Sequence, residues 1–280
     1  MKIYFHKFSL IPLKPLNRLR SLKSREGVFL KSISSHGVGY SEYFPHPEWG
    51  DLSVNDFLET FYLQNNILHK KALHFLDPRF LRQESTPFLN HSFYQGPTKR
   101  NHQIIKYKIK ETSDLAFLSL FETCKKIRLD ANGLFDQVTW KTFFEQIPHE
   151  LRERIEYIED PIFEKDWSEV KFSCARDFIA GSPFQYTIYK PYRDFFPAHG
   201  ISVIFSGNMG HGLGNYQAYL ELVEMGDLTL YHGLYTPHQY ENLPDLFKLI
   251  PSGALQPDIS EVEAYLNTFK QMSWESLCTI

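Results

Sequence analysis

The chain has 280 residues, 42% of them hydrophobic and 16% aromatic, with a formal net charge of −3. That is ample material for a large core, and it excludes the basic field of a nucleic-acid-binding domain. Three cysteines, Cys124, Cys174 and Cys278, lie far apart with no CxxC pair. They give neither a disulfide framework nor a zinc site and suit a reducing compartment. The amino-terminal residues show no cleavage-site pattern, and no segment approaches the roughly 20 apolar residues of a membrane span. The expectation is a soluble cytoplasmic α/β protein with no nucleic-acid, membrane or obligatory protein partner.

Residues 1–48 have an antiparallel character. Lys2–Leu10, Gly27–Ile33 and Gly39–Phe44 are rich in strand formers, with turn material at Ser24–Gly27 and Ser34–Gly37. From Ser53 the period becomes helical: Ser53 caps, Asp56 lies in the first turn, and Phe57, Leu58, Phe61 and Tyr62 recur on one side. A second helix is expected over about 65–76. Residues 1–88 thus form an α+β unit, and 77–90 a crossing segment.

From about 89 strands and helices alternate. Strands are expected at His91–Gln95, Ile104–Ile109, up to Asp130, Ile155–Ile158, Val170–Ala175, Tyr186–Tyr189, Val203–Phe205 and Asp227–Tyr231. Helices are expected over Glu111–Lys126, about 136–146 and Leu213–Glu224. This βαβα rhythm predicts a parallel sheet, closed or open, over 89–249. The interval from Asp177 to Lys190 is too short for a full helix, so the architecture looks trimmed. The tail from about 250 is helical near Ile259–Met272 and is expected to return to the amino-terminal unit.

Three acids end three successive strands: Asp130 in Ile127-Arg128-Leu129-Asp130, Glu159 before Asp160-Pro161, and Asp177. In a parallel α/β barrel, chemistry collects at the carboxyl ends of strands. Converging carboxylates repel unless a cation holds them, and oxygen-only donors point to a hard ion, Mg²⁺ first. Any one acid taken singly is better read as the cap of a helix or turn; the three in register favour the cation. Lys106 and Lys108 alternate within one strand, so both face the same way. Neighbouring ammonium groups and burial lower a lysine pKa, which makes a base near neutrality; an exposed edge face continued by Lys110 is the plainer alternative. Lys190 ends another strand just before a proline, as a third candidate or a solvated strand end.

The order of these pieces resembles the enolase superfamily, in its muconate-lactonising enzyme subgroup, and within it the o-succinylbenzoate synthase family. The matching residues are Lys106-Tyr107-Lys108, Arg128 to Asn132, Tyr157 to Pro161, Asp177, Lys190-Pro191, and Ser206 with Gly212-Leu213-Gly214. Arg25-Glu26-Gly27, Gly39 to Glu42 and Pro45-His46-Pro47 are similar to that family's capping domain. The resemblance implies a (β/α)7β barrel under an α+β cap. It implies Asp130, Glu159 and Asp177 as ligands of Mg²⁺, or Mn²⁺ in its place. Lys108 would be the base and later the acid, Lys190 a cation for the anionic intermediate, and Lys106 a charge holder. Arg128 and Asn132 would lie near the metal. The implied activity is a hydro-lyase step of menaquinone biosynthesis on a small-molecule carboxylate, in which 2-succinyl-6-hydroxy-2,4-cyclohexadiene-1-carboxylate is dehydrated to o-succinylbenzoate. An N-acylamino acid racemase or dipeptide epimerase, and a non-catalytic ligand-binding barrel, are the alternatives.

Departures from the family's pattern are Lys110 in place of glycine, Phe178 after Asp177, Tyr192-Arg193-Asp194 without the usual glycine, and Ser206 to His211 in place of a serine-rich run. Backbone N–H groups of Ser206, Gly207 and Gly212 would cradle a second carboxylate at a helix start. His211 is expected at the surface, with a new polar contact as the alternative. Phe44, His46 and Trp49 either close over the site or pack the cap.

Overall fold

The computed structural model describes residues 1–13, 24–47, 50–64, 66–93, 102–115, 124–162, 174–176, 186–193, 202–207, 210–235 and 240–280; the side chains of 92–93, 102–103 and 174–176 are outside that description. Two compact units emerge: Met1–Asn90 with Lys190–Phe195 and Phe205–Ile280, and His91–Tyr189 with Phe196–Ile204.

In the first unit, strands β1 (Lys2–Leu10), β2 (Arg25–Ser34) and β3 (Gly37–Tyr43) pair antiparallel. The β2–β3 hairpin turns at Gly37, whose φ of +127° suits a residue without Cβ. Val28, Leu30 and Tyr43 meet Phe57 and Phe61 from one helical stretch and Ala72 and Leu76 from the next. Those helices are α1 (Val54–Thr60), capped by the Ser53 hydroxyl, and α2 (Ile67–Phe75), capped by Asn66. Phe57 is fully buried, a burial worth about 2–3 kcal/mol. Gly39 brings β3 against the end of α2: a Cβ there would stand 1.7 Å from the Leu76 carbonyl oxygen, so only glycine admits the approach. A short strand, β4 (Leu89–Asn90), closes this stretch.

The second unit is a parallel sheet with helices on one side. Its strands are β5 (Ser92–Phe93), β6 (His102–Lys108), β7 (Cys124–Asp130), β8 (Ile155–Glu159), β9 (Cys174–Arg176) and β10 (Tyr186–Tyr189). Successive members pair parallel in that order, and β11 (Ser202–Phe205) stands next to β10. Ile105, Tyr107, Ile127, Leu129 and Ile158 point to one face. There they pack on Trp140 and Phe143 of α3 (Gln137–Gln146). Asp136 and Thr139 form a reciprocal capping box at the start of α3, and a short α4 (His149–Arg152) follows. The helix expected over Glu111–Lys126 is not borne out in its described parts. Residues 111–114 form a turn whose Asp114 accepts from the Tyr107 hydroxyl and the Lys110 N–H, and 124–126 already belong to β7, paired with β6.

The remaining chain returns to the first unit. Ser206 bridges to Gly233 in parallel, and β12 (Tyr231–His232) pairs parallel with β4. Between them runs α5 (Gly212–Met225), with Leu213, Tyr216, Leu220 and Leu222 buried. The strand expected over Asp227–Tyr231 is shorter than its β-propensity suggested. The Asp227 carboxylate accepts from the Thr229 N–H and hydroxyl, and this turn leaves only 231–232 for pairing. A hairpin of β13 (Phe247–Leu249) and β14 (Leu255–Pro257) precedes α6 (Ile259–Gln271), which buries Val262, Tyr265 and Phe269. The final strand, β15 (Glu275–Thr279), pairs antiparallel with β1. Among the described residues no helix is long and apolar enough to cross a membrane.

Candidate active site

Strand pleating decides which side chains meet in the second unit. With Ile105, Tyr107, Ile127, Leu129 and Ile158 committed to the helix-facing side, their neighbours fall on the other face. The register then lines up Lys106, Arg128 and Tyr157 in one row, and Lys108, Asp130 and Glu159 in the next, at the carboxyl ends of the strands.

Lys106 reaches from its own row into the next. Its ammonium donates to Glu159 Oε2 at 2.7 Å and lies 3.0 Å from Asp130 Oδ2, all three groups being buried. Burial alone would lower the lysine pKa, but the Asp130 and Glu159 charges outweigh it and hold the group well above its ordinary value. The expected depression by a neighbouring ammonium is therefore overturned for Lys106, which is held as a cation. Lys108 is half-buried and stands in register with Asp130.

Asn132 adds a polar contact. Its Nδ2 donates to Asp130 Oδ1 at 2.5 Å. The residue has φ +47°, and Asp160, just beyond the next strand, has φ +43°. These left-handed residues bend the chain sharply after each acid, and the Gly133 N–H donates to the Asp160 carbonyl to join the two turns.

Arg128 lies one row below the acids rather than among them. Its Nε donates to Glu156 Oε2 at 2.6 Å, its NH1 is 3.0 Å from His91 Nδ1, and its guanidinium stacks over the Tyr157 ring at 4.9 Å. Glu156 joins this group through a bulge. Pairing shifts from Ile127↔Ile155 to Arg128↔Tyr157, so Glu156 is the extra residue and Ile155 stays with Ile158 in the apolar cluster. Strict alternation would have sent Glu156 to the helix side, which is why the sequence pattern missed it. His91 lies just outside the pairs of β4 and β5 and carried no signal of its own.

Lys190 follows β10 directly and is buried. By compactness it belongs with the first unit. Ser206, Gly207 and Gly212 belong there as well, and two of the three have committed donors. The Gly207 N–H donates to the Gly233 carbonyl at 3.0 Å and the Gly212 N–H to His211 Nδ1 at 2.9 Å. The start of α5 already holds a carboxyl group of the protein's own, that of Glu42. Its Oε1 accepts from the His211 N–H at 2.6 Å and its Oε2 from the Gly214 N–H at 2.8 Å. Burial pushes the Glu42 carboxyl up to about 8, against the pull of the two N–H bonds.

His211 is not a surface histidine. It caps α5, stacks on Tyr265 and takes ring edges from Phe8 and Phe29. Burial lowers its pKa to about 4. Phe44 and His46 are likewise buried in the first unit, Phe44 against Phe8 and Tyr240 and His46 3.0 Å from Arg25. Trp49 and Asp177 lie outside the described residues.

The donor set suits a hard divalent ion. Asp130 and Glu159 present carboxylate oxygens side by side, and the space between them already accommodates the positive charge of Lys106. Among the described residues no group of three His, Cys, Asp or Glu side chains comes together to hold an ion; the third acid expected from the sequence is Asp177.

The comparisons with known proteins bear on this constellation. No family profile matches the sequence. Over 232 residues the chain is 26% identical to o-succinylbenzoate synthase of Bdellovibrio bacteriovorus, covering 68% of this chain and 69% of that one. The chain resembles o-succinylbenzoate synthase of the enolase superfamily. Its fold matches that of o-succinylbenzoate synthase from Thermosynechococcus elongatus, a structure complexed with Mg in the active site, with TM-score 0.71, 16% identity and coverage of 97% of this chain and 100% of that one. It also matches a substrate-liganded L-Ala-D/L-Glu epimerase from Bacillus subtilis, with TM-score 0.64, 14% identity and coverage of 92% and 95%. The fold is thus the mixed α/β fold of enolase-superfamily enzymes.

Proposed function

We propose that the protein is a Mg²⁺-dependent hydro-lyase, an o-succinylbenzoate synthase that dehydrates 2-succinyl-6-hydroxy-2,4-cyclohexadiene-1-carboxylate in menaquinone biosynthesis. The observation that carries this is the row Lys108, Asp130, Glu159 at adjacent strand ends, together with likeness to a relative of that name. The architecture that goes with it is a shortened (β/α)7β barrel over 89–249 beneath a cap of 1–88 and the 250–280 tail. Supporting it are the parallel neighbours from β5 to β10 with β11 beside them, the Ser206–Gly233 bridge, the β12–β4 pair, and the single residue, His91, between β4 and β5.

In this mechanism Asp130, Glu159 and Asp177 would hold the metal, and Asn132 orients Asp130. When bound, the ion supplies positive charge that offsets the second negative charge placed on a carboxylate whose neighbouring proton is removed. Lys108 takes that proton from the carbon next to the substrate carboxylate. It then returns the proton to the hydroxyl that leaves as water. Lys190 supplies a second cation for the transient anion, and Lys106 holds Asp130 and Glu159 in place. Dehydration creates an aromatic ring, so the step is strongly downhill.

A racemase or epimerase of N-acylated amino acids or dipeptides is the second reading, favoured by the epimerase among the matching folds. It would use the same two lysines. The test combines purified protein, Mg²⁺ and the cyclohexadiene acid and follows o-succinylbenzoate formation by absorbance. Lys108→Ala is expected to lower the rate by about 10²–10⁴-fold, the range for loss of a general base. Deuterium exchange at Cα of N-succinyl amino acids without dehydration would favour the second reading. Ligand binding with neither activity would leave a non-catalytic protein.

A further inference from the structure

Lys190 precedes a turn that Tyr192 and Arg193 tie into the first unit. The Arg193 N–H donates to the Lys190 carbonyl at 2.8 Å, closing the turn over buried Pro191. Tyr192 is buried. Its ring stacks on Phe75 with centroids 4.2 Å apart, and its hydroxyl donates to Gln217 Oε1. Gln217 is itself fixed, since its Nε2 donates to the carbonyls of Tyr40 at 2.7 Å and Phe75 at 3.1 Å. Arg193 NH2 pairs with Asp51 Oδ1 at 3.1 Å, the two side chains being 18% and 6% exposed. The other oxygen of Asp51 accepts the His46 N–H at 2.8 Å, so this acceptor cannot drift toward solvent.

This is where the sequence departs from its family, with Tyr192-Arg193-Asp194 after Lys-Pro instead of a glycine. A glycine there would leave the turn free to flex; a buried tyrosine and a largely buried ion pair remove that freedom.

We propose that Tyr192 and Arg193 are positioning residues for Lys190, with Arg193 acting through Asp51 and Tyr192 through Phe75 and Gln217. The inference rests on the reading that Lys190 serves the chemistry. Its physical content is separate: the clamp keeps a buried ammonium in one place.

The test measures both on the full-length folded protein. Arg193→Met, Asp51→Asn and their combination are compared with Arg193→Lys, which keeps the charge, and Tyr192→Phe, which removes only the hydroxyl. A short pulse of acetic anhydride, read by peptide mass spectrometry, reports the reactivity of Lys190 against exposed Lys110 and buried Lys106. Local opening at Lys190 should raise its acetylation at least about fivefold in Arg193→Met and Asp51→Asn, with Lys106 unchanged. Misplacement of this kind should lower kcat by about 10–100-fold while KM stays within about threefold. The double variant should be no worse than either single one, because both remove the same ion pair. Arg193→Lys should recover part of the loss, and Tyr192→Phe should show a smaller effect of the same sign.

Unchanged acetylation of Lys190, or a rise shared equally by Lys106, overturns the clamp. If acetylation changes as expected but the wild-type protein turns over none of the proposed substrates, the clamp stands and the functional reading falls. If the wild-type protein is active and Lys190 reactivity ignores Arg193 and Asp51, the reverse holds.

Discussion

The Lys106 ammonium lies 2.7 Å from Glu159 Oε2, two strands away across the sheet, and the Asp130 carboxylate of the strand between also meets it at 3.0 Å. One buried cation thus serves two buried anions. Lys106→Met should leave the two carboxylates facing each other unneutralised. Removing one partner of a buried ionic cluster costs about 3–5 kcal/mol. In chelator, urea denaturation of the variant should show a loss of that order, and added Mg²⁺ should recover more stability in the variant than in the wild type. Equal Mg²⁺ effects on both proteins would count against a cation site at these acids.

Arg128 is a second centre of buried charge. Its partners are Glu156 of β8 and His91 from the junction of β4 and β5, and its side chain is about 1% exposed. Arg128→Met keeps most of the volume but takes the near partner from Glu156, leaving it to the Lys126 ammonium 3.9 Å away. A destabilisation of roughly 3 kcal/mol is expected, measured by urea denaturation at neutral pH. Adding Glu156→Gln to that variant should return part of the loss, since the poorly compensated charge goes with it.

Asn132 combines a left-handed backbone with the bond to Asp130. Two substitutions separate these contributions. Asn132→Gly loses the hydrogen bond but tolerates φ +47°; Asn132→Ala loses the bond and strains the turn. The glycine variant should therefore be more stable than the alanine variant by about 1 kcal/mol, the cost of a left-handed residue bearing Cβ. Both should lose activity to a similar degree if the contact to Asp130 is what matters for turnover.

Glu42 gives a pH signature. Its folded-state pKa is raised to about 8 from the ordinary 4.5, with burial the main cause. The folded protein therefore binds more protons than the unfolded chain between those values, and the stability so gained is lost as pH rises through 8. His211 has the opposite sign: lowered to about 4 from 6.5, it adds stability as pH rises to 6.5 and nothing beyond. From pH 6.5 to 8 the Glu42 contribution stands alone of the two. Urea midpoints should fall across that window in the wild-type protein and stay flatter in Glu42→Gln. Parallel slopes in the two proteins would reject a raised Glu42 pKa.

Part of the site could be read directly from residue order. Alternation in Lys106-Tyr107-Lys108 and Arg128-Leu129-Asp130 fixes which side chains share a face, because a strand turns its side chains with period two. Asn132-Gly133 announced a sharp turn, since both residues tolerate positive φ, and the structure has both there. The helices that begin at Ser53 and Asp136 follow from side chains that cap them.

Other features were hidden for identifiable reasons. The bulge at Glu156 reverses the strand's alternation locally, so its side chain joins Arg128 against the pattern. His211 looked like a surface residue because its neighbours Phe8, Phe29 and Tyr265 come from the far ends of the chain. Residues 111–115 carried a helical pattern, but the Asp114 carboxylate draws the backbone into a turn against Tyr107.

By itself, the order of residues determined the strands from β6 to β11, the helices α3 and α5, and the acids and lysines delivered to strand ends. Those are local properties, set by side-chain period and turn chemistry. Tertiary structure alone decided that Lys106 would neutralise Asp130 and Glu159, that Glu42 would occupy the start of α5, and that Arg193 would answer to Asp51. Each joins residues distant in sequence, and whether buried charges find partners depends on packing that no single stretch encodes.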